Sequence, residues 1–169
     1  MYINKMIKIL KFIFHISTLM LIIISLWPGS LLGFFFYGNW QLQPNVIENP
    51  YGTTINHFIS YFYVSLIGFF TYLKNKNFRI LVYGLLILSI TLEVFHFIIP
   101  NRSFQMQDLL ANIIGVMVAY FVIKIYLFLK RLLMISLQKD KMVLKKSLQE
   151  TKNFNLKLQQ EKINTLDNG

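Results

Sequence analysis

The sequence predicts an all-α integral membrane protein with four transmembrane helices, both termini in the cytoplasm, and a basic C-terminal helical tail. Three observations carry this reading. Four stretches each supply about the 20 mainly apolar residues that a membrane crossing needs. The 169 residues are 55% hydrophobic and only 14% charged, with a mean hydropathy of +0.51, whereas about a quarter of a water-soluble domain is charged. The net charge of +10 is segregated along the chain, away from the apolar stretches.

The first span is 9–27, preceded by Lys5, Lys8 and Lys11. A basic leader before an apolar run is also the pattern of a secretory signal. However, Trp27-Pro28-Gly29-Ser30 and the bulky residues after it offer no small-x-small cleavage site, so the segment reads as an uncleaved span. The loop 28–53 holds three of the four prolines and four of the eight glycines. Its Leu31-Leu32-Gly33-Phe34-Phe35-Phe36-Tyr37 run is too short to cross and reads as an interfacial or re-entrant piece. Spans two and three, 54–73 and 79–99, are joined by a short basic turn with Lys74, Lys76 and Arg79. Span four, 108–129, closes with Lys124, Lys130 and Arg131. Together these make a membrane domain over 1–131 and a tail over 132–169.

Orientation follows from the basic residues. Sixteen of the 17 fall at the termini or between spans two and three, and only Arg102 lies on the other side. The positive-inside rule therefore puts both termini in the cytoplasm and two loops outside. Trp27 and Trp40, the two tryptophans, then fall at the outer interface, where amphipathic rings prefer to sit. From Lys130 onward the tail carries nine basic and four acidic residues. Its Leu137, Leu144, Leu148 and Leu158 form a seam broken at Thr151 and Asn155, a weak coiled coil. A basic helix, or a partly disordered segment, beside an anionic inner leaflet fits it better. The positive charge is thus a topology signal, and nothing in it calls for nucleic acid. With no cysteine, disulfides, Cys-ligated zinc, thiol nucleophiles and iron–sulfur clusters are excluded.

The polar residues inside the spans carry the functional expectation. Before the tail there are three acids. Glu48 reads as a solvated loop charge. Glu93 lies six residues before Ile99, hence about 9 Å below the outer end of the predicted span. A charge there costs about 2.5–3.5 kcal/mol on insertion scales and must find a partner. Helical spacing puts Ser89, Glu93 and His96 on one face of span three, and Asp108, Asn112, Gly115 and Ala119 on one face of span four. His57, Tyr61, Ser65 and Gly68 make the same stripe on span two. All three are polar near the outer surface and small below, where Gly68, Gly115 and Ala119 let helices approach closely. The simplest arrangement is one outward-facing polar site beneath Arg102, formed by His57, Tyr61, Glu93, His96, Asp108 and Asn112. Each residue also has a plainer role: a Glu93–Arg102 staple, an Asp108 helix cap, an interhelical Asn112 hydrogen bond, an interfacial His57. His15 reads as structural, and Lys124 as snorkelling to the inner surface.

Asn56-His57-Phe58-x-x-Tyr61, Glu93-x-x-His96-x-x-x-Pro100-x-Arg102-Ser103 and Asp108-x-x-x-Asn112-x-x-Gly115, in that order, resemble the VanZ-like family of bacterial integral membrane proteins. The resemblance runs over about residues 25–121, beginning at Ser25-Leu26-x-Pro28, and leaves the basic tail outside. It implies a compact multi-span protein of the bacterial cytoplasmic membrane. The family is named for a member linked to low-level resistance to the lipoglycopeptide teicoplanin, which supplies a cell-envelope context and no reaction. There are departures: the family often has Gln where this chain has His96, and Asp-Lys where it has Thr53-Thr54.

The leading expectation is a non-enzymatic envelope protein whose outer site binds a polar or anionic headgroup, with Arg102 as its phosphate or carboxylate contact. Membrane lipids, a lipid-linked wall intermediate and a lipoglycopeptide are the candidate partners, and no cofactor or metal is expected. An intramembrane enzyme acting on a lipid-linked substrate is the alternative, with Glu93, His96, His57 and Asp108 for acid–base work. Against it stand the missing serine elbow and the missing His-x-x-x-His spacing. A small transporter subunit is a third reading. Four spans are few for transport, and homo-oligomerisation could supply the path.

Overall fold

The computed structural model of the chain describes residues 2–44 and 52–167, so Glu48 lies outside the described residues. It is all-helical, with α1 (Tyr2–Leu26), α2 (Leu31–Tyr37), α3 (Thr54–Thr71), α4 (Phe78–Phe95) and α5 (Met106–Asp167), and no strand among the described residues. Two compact units result, Met1–Lys124 and Ile125–Gly169.

In the first unit α1, α3, α4 and the opening turns of α5 pack around Phe14, Val64, Phe69, Leu85, Leu92, Val116 and Ala119. The polarity is inverted relative to a protein dissolved in water. Glu93, His96, Asp108, Asn112, Ser65 and Ser89 are buried, while Phe12, Leu19, Ile80, Ile87, Ile98 and Phe121 are exposed. Lipid is the solvent that tolerates such a surface, and it forces polar groups to pair internally. Among the described residues, three helices are long and apolar enough to cross a bilayer: α1 from Lys5 to Leu26, α4, and α5 from Met106. The stretch expected as span two is a helix, α3, with the needed 18 residues but less apolarity than these three. Asn56, His57, Ser60, Tyr61 and Ser65 lower it, and of these Tyr61 and Ser65 point into the bundle.

Small residues set the helix spacing. A Cβ on Gly68 would stand 2.6 Å from the Phe14 ring, and one on Gly115 would stand 2.6 Å from the Phe58 carbonyl oxygen. So α1 and α5 each close on α3 at a glycine, as the small-residue stripes predict.

The helix predicted over 79–99 stops at Phe95. Residues His96, Phe97 and Ile98 instead bond three residues back, to the carbonyls of Glu93, Val94 and Phe95. Pro100 disfavours helical geometry at Ile99, and Asn101 takes the left-handed conformation with φ 61°, which Asn tolerates. Glu93 therefore lies in the last turn of its helix, nearer the end than the predicted span placed it.

The short apolar run after span one is helix α2. The Ser30 hydroxyl caps it by accepting from the Gly33 N–H, and Gly38, with φ 65°, closes it. Gly33 has no room for a Cβ, because the Leu42 carbonyl packs against it. Trp40 stacks between Trp27 and Phe34, while Phe35, Phe36 and Tyr37 face outward. In the second unit the chain is helical through Asp167, and Leu137, Leu144 and Leu148 are exposed.

Candidate functional site

Four helix ends meet at one end of the first unit: the C-termini of α1 and α4 and the N-termini of α3 and α5. Helix N-termini favour negative charge and C-termini positive charge; Asp108 and Arg102 follow this, whereas Glu93 stands in the last turn of α4 and is held by other partners. Asp108 stands in the first turn of α5. No basic residue occupies the last turn of α1; Arg102 supplies one from the α4–α5 connection. Its Nη2 donates to the Ile24 carbonyl at 3.0 Å and its Nε to the Trp27 carbonyl at 3.2 Å. Burial pushes the Arg102 pKa below its ordinary value, and the Glu93 and Asp108 carboxylates push it back up. The guanidinium stays cationic.

Below Arg102 are two histidine–carboxylate pairs. Glu93 Oε1 lies 3.2 Å from His96 Nδ1 and accepts from the Gln105 backbone N–H at 3.2 Å. His96 Nε2 faces the Ser25 carbonyl at 3.1 Å. A carbonyl only accepts, so a bond to it has Nε2 donating; the Ser25 hydroxyl also lies 3.4 Å from Nε2. In the second pair His57 Nε2 is 3.4 Å from Asp108 Oδ2, and His57 Nδ1 is 3.2 Å from Asn112 Oδ1. The Thr54 hydroxyl donates to Asp108 Oδ1 at 2.6 Å. The two imidazole rings are 6.4 Å apart, nearly perpendicular. Among the described residues, Glu93 Oε2, Tyr61 Oη and Ser65 Oγ are buried without a protein hydrogen bond.

Beside these pairs is a cavity of about 430 Å³ between α1 and α3. Ser25, Ser30, Asn56, His57 and Arg102 line it towards the helix ends, and Ile16, Met20, Leu21 and Val64 line it deeper along the helices. Tyr61 also lines it. Among the described residues no three His, Asp or Glu side chains converge to hold a metal ion. The arrangement offers a cation and an imidazole to an incoming group, with two buried carboxylates behind them.

All seven residues singled out in the sequence gather at this end of the unit. The pairing differs in one respect: Glu93 bonds to His96 and Gln105 N–H, while Arg102 bonds to the Ile24 and Trp27 carbonyls. Asp108 is not the cap of α5 but its third residue, and its carboxylate turns to Thr54 and His57. Sequence reasoning missed Thr54, Gln105 and the carbonyls of Ile24, Ser25 and Trp27. Thr54 had a signal, standing three residues before His57 on the same face of α3. Backbone groups have none. His15 bonds to Tyr72 near the opposite end of the bundle.

The profile of the VanZ/LLP1 family matches residues 10–129, most of the chain. The chain belongs to the VanZ/LLP1 family. The match takes in α1, all of α2, α3 and α4 and the first part of α5, so the family region contains every residue of the cluster. No curated protein and no solved structure matches this VanZ/LLP1 chain.

Proposed function

We propose that this VanZ/LLP1 protein is a non-enzymatic, four-span protein of the bacterial cytoplasmic membrane whose outward-facing polar site binds an anionic headgroup and thereby contributes to tolerance of glycopeptide antibiotics. Its termini lie in the cytoplasm, and the Arg102 end of the bundle faces outward, in keeping with the distribution of basic residues. The observation that carries the reading is Arg102 itself. It spends two of its five N–H groups on the Ile24 and Trp27 carbonyls and lines the cavity beside His57. A fixed guanidinium with donors to spare suits a phosphate or carboxylate. A lipid-linked wall intermediate and a lipoglycopeptide both carry such groups.

Cells expressing Arg102→Lys or Glu93→Gln test it. Both substitutions are expected to lower tolerance to envelope antibiotics at normal protein levels, with Arg102→Lys failing because a lysine cannot present the planar fork. Unchanged tolerance in both would sink the reading.

One observation favours a second reading, an intramembrane acid–base enzyme: two carboxylate–histidine pairs lie side by side. In that case His57→Gln abolishes turnover of a lipid-linked substrate while leaving its binding intact.

A further inference from the structure

The cavity beside Arg102 changes character with depth. Most of its polar lining sits towards the helix ends, with Ser17, Ser60 and Tyr61 further down, while its deepest residues, Ile16 on α1 and Val64 on α3, each lie ten positions from the end of their helix. At 1.5 Å per residue both are about 15 Å down, half of a hydrocarbon core of about 30 Å. The apolar part is a groove open at its side, since Ile16, Met20 and Tyr63 line it and remain exposed at 42%, 55% and 59%. This deep wall is mostly aliphatic, with Ser17 and Tyr61 as its polar exceptions, and offers ordered water few of the several polar partners it needs.

We propose that this groove holds one aliphatic chain of a membrane lipid whose anionic head rests at Arg102 and His57, so that the ligand enters sideways from the bilayer. This rests on the headgroup reading above and adds the class of molecule. Charge complementarity selects the head, and the groove depth matches one leaflet, which is where a single-chain or isoprenoid lipid carries its tail. Arg102, tied to the end of α1, fixes the head at the mouth of the groove formed by that same helix.

The test uses the full chain in phosphatidylcholine nanodiscs, with bound probe counted by native mass spectrometry against empty discs. Dodecyl phosphate is expected to bind at least about 100-fold more tightly than inorganic phosphate, given the worth of each buried methylene. Met20→Trp, which fills the groove from its exposed side, should weaken dodecyl phosphate about tenfold or more. Ile87→Trp, equally lipid-facing but on α4, should change nothing. Equal binding of the two phosphates, or full binding by Met20→Trp, overturns the chain groove and leaves the headgroup reading standing. If dodecyl maltoside binds as tightly as dodecyl phosphate and is lost in Met20→Trp, the groove stands and the anionic head is overturned. Binding of neither dodecyl probe overturns both.

Discussion

At the residue scale the cluster separates groups that have partners from groups that do not, and the two respond differently to substitution. Asp108 answers Thr54 and His57. Asp108→Ala leaves both without their acceptor and should cost about 1–3 kcal/mol, read as a lower unfolding midpoint in detergent. Asp108→Asn keeps an acceptor for Thr54 and should lose less. Tyr61 is the opposite case, because its hydroxyl is buried and has no protein partner. Tyr61→Phe should leave stability within about 1 kcal/mol or raise it. A large loss in the same unfolding assay would show that the hydroxyl is engaged. The inward faces of these residues were legible in the sequence, since a carboxylate or histidine in an apolar helix must turn away from lipid. Their partners were not. Charge alone suggested Glu93 with Arg102, but backbone carbonyls at the end of α1 compete for a guanidinium, and no side-chain pattern announces them.

At the element scale the glycines report where helices touch. Gly115→Ala puts a methyl 2.6 Å from the Phe58 carbonyl oxygen, which is backbone and cannot turn aside. It should cost about 1–3 kcal/mol by forcing α3 and α5 apart. Gly84 on α4 has open space where a Cβ would stand. Gly84→Ala should therefore be neutral or gain up to about 1 kcal/mol of helix propensity. Equal effects from the two in one unfolding series would contradict the packing. Helix starts and the small-residue contacts followed from periodicity. The end of α4 at Phe95 did not, because apolar residues run on to Ile99 and hydropathy cannot see backbone turns. Pro100 was the available signal for that end.

At the scale of the whole molecule, a bundle with apolar residues outside and acids inside fits a bilayer, and the proposed direction rests on the basic residues. The absence of cysteine makes this directly testable. Asn39→Cys, just after α2, should react with an impermeant maleimide on intact cells, and Asn75→Cys, between α3 and α4, only after permeabilisation. The opposite pattern would invert the topology. Deleting 132–169 should leave insertion and tolerance intact if the polar site alone acts, and lost tolerance with normal insertion would move the function to the tail. The helices and the stripes were readable in the sequence, whereas the cavity was not, because it arises from the gap between α1, α2 and α3. The central claim is that this gap is a lipid site headed by Arg102. An experimental density map of the full chain in lipid nanodiscs tests it most directly. The account predicts elongated density with its head within hydrogen-bonding reach of Arg102 and its tail between Ile16, Met20 and Val64. A groove closed by the side chains of α1 and α3, with Arg102 facing only protein, would contradict it.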